Sequence, residues 1–330
     1  MNLPKSILAG LTFGLLFNSC MTQRIPAESK NENLKILLIS DLNDSYGSVG
    51  YSKEVHEVVN RVKDINPDII LCGGDMVAGQ KASLTASRLD SMWMAFDQSV
   101  LMPISQLGIP FGFTMGNHDA SPSYHLDRAA ASYFWKVNKH KANLTYVDDM
   151  HFPYYFSYIK NNVFFISWDA SSSDIPAEVK LWMKEQLATP VANESRARIV
   201  LGHLPLYAIV SAKNKKGEVL NEADETLVFL KENKVDMYIS GHQHAYYPAS
   251  KEQVTLLHAG CLGGGPREIL GHTANASKAY AILELPKRKS IADIQITGLE
   301  PASHRHILLE SLPDSVIGFN GKVTRWESGN

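Results

Sequence analysis

The feature that most constrains this chain is a pattern repeated along it: short polar clusters, each placed just after an apolar, strand-like run. The clusters are Asp41-Leu42-Asn43, Gly74-Asp75, Gly116-Asn117-His118-Asp119, Gly202-His203 and Gly241-His242-Gln243-His244. The runs that precede them are Leu34 to Ser40, Asp68 to Cys72, Pro110 to Met115, Arg198 to Leu201 and Val235 to Ser240. Apolar runs of this length read as strands buried on both faces. In open α/β sheets, sites gather where the carboxyl ends of strands meet. The pattern therefore predicts that these loops converge.

Helical spacing fills the intervals. Ser52 to Ile65 carries Val55, Val58, Val59 and Val62 on one face, and Leu84 to Leu101 carries Leu89, Trp93, Phe96 and Val100. Pro103 is expected to end or kink that second helix. Further helices are expected over His125 to Val137, Pro176 to Leu187 (starting with the proline) and Glu222 to Glu232. Tyr154 to Tyr158 and Val163 to Trp168 flank Lys160-Asn161-Asn162 and read as a hairpin. Val254 to His258, Ala279 to Leu285 and Ile291 to Thr297 complete the strands, and no pattern gives the segment after Leu299 a role. A βαβα start with a strand-rich second half predicts one α/β domain with more than one sheet.

Within the 330 residues four regions are expected. Residues 1–19 read as a signal peptide, with Lys5 as its positive start and Ile7 to Phe17 as an apolar run too short for a membrane span. The run ends at Phe17-Asn18-Ser19-Cys20, a loose match to a bacterial lipoprotein box, with Cys20 as the expected lipid attachment point. Residues 20–33 would be a tether, 34–300 the main folded domain and 301–330 a C-terminal segment of unknown role. The expected location is outside the cytoplasm, on the cell envelope, facing the periplasm or exterior, with membrane contact only through that anchor. A net charge of −2, from 32 basic and 34 acidic residues, implies no strong field, so no nucleic-acid polymer is expected as a partner. Cys72 and Cys261 sit in apolar contexts and are expected to be buried free thiols.

The clusters offer carboxylate, amide oxygen and imidazole, and no cysteine is needed among them. Such a mixed oxygen and nitrogen set suits Mn²⁺, Fe or Zn²⁺ better than a thiolate site does. The candidate ligands exceed what one tetrahedral ion takes, and two divalent ions bridged by a carboxylate account for them. Each residue alone has an ordinary reading. His203 could be a structural histidine, Asp41 and Asp75 caps or turn residues, Asn117 a turn residue, and His242 with His244 a surface pair. It is the ordered set that carries the inference.

With these blocks in this order, the chain resembles the calcineurin-like metallophosphoesterase superfamily, which includes purple acid phosphatases and bacterial phosphodiesterases. The resemblance runs from about Leu34 to Thr297 and is most specific at Gly116-Asn117-His118-Asp119 and Gly241-His242-Gln243-His244. It implies a sandwich of two mixed β-sheets flanked by helices, with metals at the strand ends. By position it implies that Asp75 bridges two ions, that Asp41 and His244 hold the first, and that Asn117, His203 and His242 hold the second. A bridging hydroxide would attack phosphorus, His118 would donate to the ester oxygen, and Asp119 would orient His118. The implied activity is hydrolysis of a phosphate monoester or diester on a small phosphorylated substrate. The alternatives are a pyrophosphate or phosphoprotein hydrolase of the same family, or a non-catalytic envelope lipoprotein that keeps the fold.

One departure bears on the metals. Many members of this family carry a histidine where this chain has Asn43, and purple acid phosphatases supply a tyrosine where it has Ala78. The first ion is then left with Asn43 oxygen or water, which favours Mn²⁺. Tyr46, Tyr207 and Arg267 are the candidate substrate contacts. Arg267 follows Gly263-Gly264-Gly265-Pro266, a loop whose backbone could approach a ligand closely.

Overall fold

The structure, a computed structural model, describes residues 32–272 and 276–327. The expected leader, Cys20 and most of the tether lie outside the described residues. The first sheet is built on β1 (Leu34–Ile39), which the chain leaves through α1 (Lys53–Ile65) to reach β2 (Ile69–Cys72) in parallel register, Ile36 opposite Ile69. Helix α1 forms for local reasons. Ser52 Oγ accepts from Val55 N, Asn66 takes the left-handed C-cap, and the valine stripe is buried.

The next helical stretch departs from expectation. Helix α2 (Ala86–Phe96) begins at the Thr85 cap and passes through a π turn over Asp97–Leu101 into α3 (Met102–Gln106). Pro103 therefore does not stop the chain. The wide turn shifts the hydrogen-bond register just before the proline and makes room for its ring. Then follow β3 (Phe111–Phe113), the single turn α4 (Asn117–Ala120) and α5 (His125–Asn138).

The second sheet begins with β4 (Thr145–His151), β5 (Tyr155–Lys160) and β6 (Val163–Ser167). Asn161 and Asn162, at φ of 47° and 60°, make the expected β5–β6 hairpin turn tight, as the primed turn types require. Helices α6 (Ala177–Leu187) and α7 (Pro190–Glu194) lead to β7 (Ala197–Leu201), and α8 (Ala223–Glu232) leads to β8 (Met237–Ser240). Pro176 is the cap residue before α6 rather than its first helical residue. Strands β9 (Tyr246–Lys251) and β10 (Val254–Ala259) close this half.

The chain then returns to the first sheet with β11 (Tyr280–Leu285) and β12 (Gln295–Leu299). The strand expected from Ile291 starts later, because Ile291–Asp293 is a 3-10 turn. The segment without a sequence pattern supplies β13 (His306–Ile307), β14 (Ser315–Gly318) and β15 (Gly321–Arg325). Among the described residues the sheet orders are β13-β12-β11-β1-β2-β3 and β14-β15-β9-β10-β8-β7-β6-β5-β4. Both are mixed sheets, flanked by helices, as the family resemblance implied.

The sheets pack through aromatic side chains where glycine leaves space. A Cβ on Gly112 would come 2.2 Å from Tyr158 Oη, and one on Gly298 would fall 2.3 Å from the Tyr246 ring. Phe113 stacks on Trp135 at 3.9 Å and meets Phe156 at 5.3 Å. Cys72 and Cys261 are buried free thiols. Among the described residues no helix is long and apolar enough to cross a membrane.

Candidate metal centre

The polar clusters do converge. β1, β2 and β3 run parallel in one sheet, β7 and β8 in the other, so all their carboxyl ends face the same junction. Backbone bonds lock the loops together there: Asp41 N to Gly74 O (2.9 Å), Gly241 N to His203 O (3.0 Å) and Leu262 N to Ser40 O (3.1 Å). Space is too tight for side chains at two of the glycines. A Cβ on Gly116 would lie 2.1 Å from Asp75 Oδ1, and one on Gly241 would lie 2.6 Å from Asp41 Oδ2.

Asp41, Asp75 and His203 offer ligand atoms within 4.8 Å of one another, all buried. Asp41, Asp75, His242 and His244 hold left-handed backbone, with φ of 50°, 54°, 65° and 53°. Non-glycine residues rarely keep this conformation unless the surroundings impose it, and such residues cluster at functional sites.

The hydrogen bonds fix which nitrogen of each imidazole faces the centre. A carbonyl only accepts, so His203 Nδ1 donates to Gly73 O (2.8 Å) and His244 Nδ1 donates to Gly264 O (2.9 Å). That turns His203 Nε2 toward Asn117 Oδ1 (3.0 Å) and Asp75 Oδ2 (3.3 Å), and His244 Nε2 toward Asp41 Oδ1 (3.1 Å). Asn117 points its oxygen inward because its Nδ2 donates to Gln80 Oε1 (2.6 Å). His242 Nδ1 lies 2.8 Å from the same Asn117 oxygen, and its Nε2 lies 2.8 Å from Glu218 Oε2.

Lone pairs thus face lone pairs in a buried place, an arrangement that is favourable only with a proton or a cation among them. The electrostatics agree. Burial alone would raise the Asp75 carboxyl, but the charges of His203 and His118 outweigh it and hold it far below the usual range. Burial likewise opposes charge on His203, yet Asp75 and Asp41 push it up to about 9. His242, by contrast, is driven down to about 3 by burial and by Lys213. A hydrogen bond from His242 and the charge of Lys213 hold Glu218 down at about 2. The donor set of two carboxylates, three imidazoles and an amide oxygen fits divalent ions of the Mn²⁺, Fe or Zn²⁺ type.

In front of this centre lies an open cleft of about 520 Å³, lined by Asn117, His118 and His242 with Tyr46, Lys213 and Arg267. His118 N donates to Asp75 Oδ1 (2.9 Å) and its ring Nδ1 donates to Gly79 O (3.1 Å). Tyr46 is exposed and its ring centroid lies 5.2 Å from that of His118. Arg267 Nη1 donates to His242 O at 3.1 Å.

Two expected contacts are corrected. Asp119 does not touch the His118 ring. Its carboxylate accepts from Gly116 N (2.8 Å) and Val77 N (2.9 Å), so it caps α4 and ties the loop after β2 to the loop after β3. Tyr207 is not on the cleft. After Pro205 the chain turns inward, and the buried ring lies near the β15 hairpin with its hydroxyl on Asp224 Oδ1 (2.5 Å). Asn43 is buried beside the centre, its backbone N bonded to Asp75 O (3.2 Å) and its O to Gly264 N (2.9 Å). Lys213, Glu218 and Gln80 were not anticipated. Nothing in the spacing of Lys213 and Glu218 signals the cleft.

A sequence model of the family described as calcineurin-like phosphoesterase matches residues 34–246. Purple acid phosphatase 22 of Arabidopsis thaliana is 23% identical over 211 residues, covering 61% of this chain and 43% of that protein. The structure of the purple acid phosphatase PPD1 from yellow lupin (Lupinus luteus) seeds aligns with a TM-score of 0.62 at 13% identity, over 84% of this chain and 53% of that one. GAP50, the anchor in the inner membrane complex of Plasmodium, aligns with a TM-score of 0.53 at 17% identity, over 84% and 87%. At these identities the structural likeness speaks for the fold. The chain spans about half the length of the two purple acid phosphatases it matches.

Proposed function

The chain belongs to the calcineurin-like phosphoesterase family, and from that premise we propose that it hydrolyses a phosphate monoester or diester in the cleft. The observation that carries the reading is the convergence of Asp41, Asp75 and His203 behind Asn117, His118 and His242. In this reading Asp75 would be shared between two divalent ions, with Asp41 and His244 (and Asn43 or water) as the residues that would hold one, and Asn117, His203 and His242 those that would hold the other. When bound, the ions supply the positive charge that activates water and offsets charge gathering on the phosphoryl oxygens.

The rest of the work falls to the chain's own side chains. Arg267 and Lys213 give the cleft cationic groups for an anionic substrate. Gly79 fixes the Nδ1 side of His118. In this reading His118 donates a proton from Nε2 to the ester oxygen as the bond between that oxygen and phosphorus breaks. Tyr46 stands beside that ring as an exposed wall. We further propose export and lipid anchoring at Cys20, on the strength of the leader pattern alone, with a small phosphorylated molecule as substrate.

The second reading, a non-catalytic envelope protein, draws on Asn43 at a position where many relatives carry histidine. GAP50, described as an anchor, has a similar fold. One experiment separates the two. Metal-stripped protein is reloaded with Mn²⁺, Fe²⁺ or Zn²⁺ and assayed on p-nitrophenyl phosphate and bis-p-nitrophenyl phosphate. Metal-dependent hydrolysis of either is expected, with the ratio giving the ester class. No hydrolysis by protein loaded with each ion would overturn the enzyme reading.

A further inference from the structure

We propose that Glu218 is a positioning residue for His242, orienting its imidazole so that Nδ1 faces the centre, and that tight binding of one of the two ions depends on it. The inference rests on the dinuclear reading of the site given above. His203 and His244 are each oriented by a backbone carbonyl, Gly73 O and Gly264 O. His242 is different: its Nε2 meets a side-chain carboxylate, Glu218 Oε2, at 2.8 Å. A carboxylate accepts, so the proton sits on Nε2 and the Nδ1 lone pair is left toward Asn117 Oδ1 at 2.8 Å. A charged partner on the outer nitrogen both fixes the tautomer and makes the inner nitrogen a better donor to a metal.

The loop that brings Glu218 is itself pinned from the ligand cluster. Gln243, fully buried between His242 and His244, donates Nε2 to Glu218 O (3.2 Å). Its Oε1 accepts from Ile209 N and Val210 N, both at 3.1 Å. Thus Gln243, which has no ligand role in the reading above, ties the backbone at Glu218 to the turn after β7. Lys213 Nζ lies 3.2 Å from the Glu218 carboxylate, and 3.2 and 3.0 Å from the two ring nitrogens of His242, so the carboxylate also balances the ammonium beside the ring.

The test is calorimetric titration of metal-stripped wild type, Glu218→Ala and Glu218→Gln with Mn²⁺, with thermal unfolding of the same metal-free samples alongside. Glu218→Ala is expected to weaken one of two binding steps by about 10- to 100-fold and to leave the other unchanged. Glu218→Gln, which keeps an acceptor oxygen without the charge, is expected to fall between. Should Glu218→Ala lower the metal-free melting temperature, the near-isosteric Glu218→Gln carries the comparison. Unchanged affinities, or equal weakening of both steps, would overturn the inference while leaving the functional reading intact. Failure of wild type to bind any Mn²⁺ would overturn the dinuclear reading first, and this inference with it.

Discussion

His118 Nδ1 lies 3.1 Å from the Gly79 carbonyl oxygen, so it is Gly79, and not Asp119, that directs this ring toward the cleft. His118→Ala is therefore expected to leave metal content unchanged and to lower turnover by about 10²-fold or more, as loss of a general acid does. Aryl esters, whose leaving groups need less protonation, should suffer less than alkyl esters. Equal losses on the two substrate types would refute the acid role.

Asp119 is predicted to act on stability. Its carboxylate accepts from two backbone N–H groups in a buried place, Gly116 and Val77. Leaving each unpaired costs about 1–3 kcal/mol. Denaturant unfolding of the metal-free protein should show Asp119→Ala strongly destabilised and Asp119→Asn less so. A large drop in turnover at unchanged stability would instead restore Asp119 as a partner of His118.

His258 gives a pH-dependent prediction. It is buried in β10, its Nδ1 has no hydrogen-bond partner among the described residues, and burial pushes its pKa down from 6.5 to about 3. Below about pH 6.5 the unfolded chain binds a proton here that the folded chain refuses, so stability falls as pH falls, until about pH 3. The slope from this residue approaches about 1.4 kcal/mol per pH unit. Denaturant unfolding of metal-free wild type and His258→Leu from neutral pH downward should diverge with that sign, the leucine protein losing less. Parallel curves would contradict the assignment.

Asn43 should make one ion site weaker than the other. An amide oxygen is a poorer donor than imidazole to borderline metals, while Mn²⁺ tolerates oxygen ligands. Titration of metal-free protein should show two unequal steps, and Asn43→His should tighten the weaker one and shift preference toward Zn²⁺. Asn43→Ala should weaken it if the amide oxygen binds. Identical affinities in all three proteins would remove Asn43 from the ligand set.

Much of this was legible in the sequence because buried parallel strands leave long apolar runs, and polar residues just beyond them have nowhere to sit except the strand ends. β1, β2, β3, β7 and β8 carried that signal, as did the valine stripe of α1. The edge strand β4 did not, being half exposed and broken by register shifts. Nor did β13 to β15, short strands that add to edges already formed. At the site, residue types and order foretold the convergence of Asp41, Asp75 and His203. What remained hidden was set by tertiary packing: the left-handed backbone at four cluster residues, the inward turn that buries Tyr207, and the capping bonds that take Asp119 away from His118. Lys213 and Glu218 could not be found from a charged loop whose partner, His242, lies on another strand end.

Phosphoester hydrolysis by this chain is predicted to need two ions, both held with the help of Asp75. The most direct measurement follows turnover on a phosphate ester against equivalents of Mn²⁺ bound per chain, for wild type and Asp75→Asn. Activity is predicted to stay near baseline until the second equivalent binds, to saturate at two per chain, and to be lost in Asp75→Asn together with tight binding of the pair. Full activity at one equivalent or none, or two tightly bound ions with no hydrolysis of any phosphoester, would contradict it.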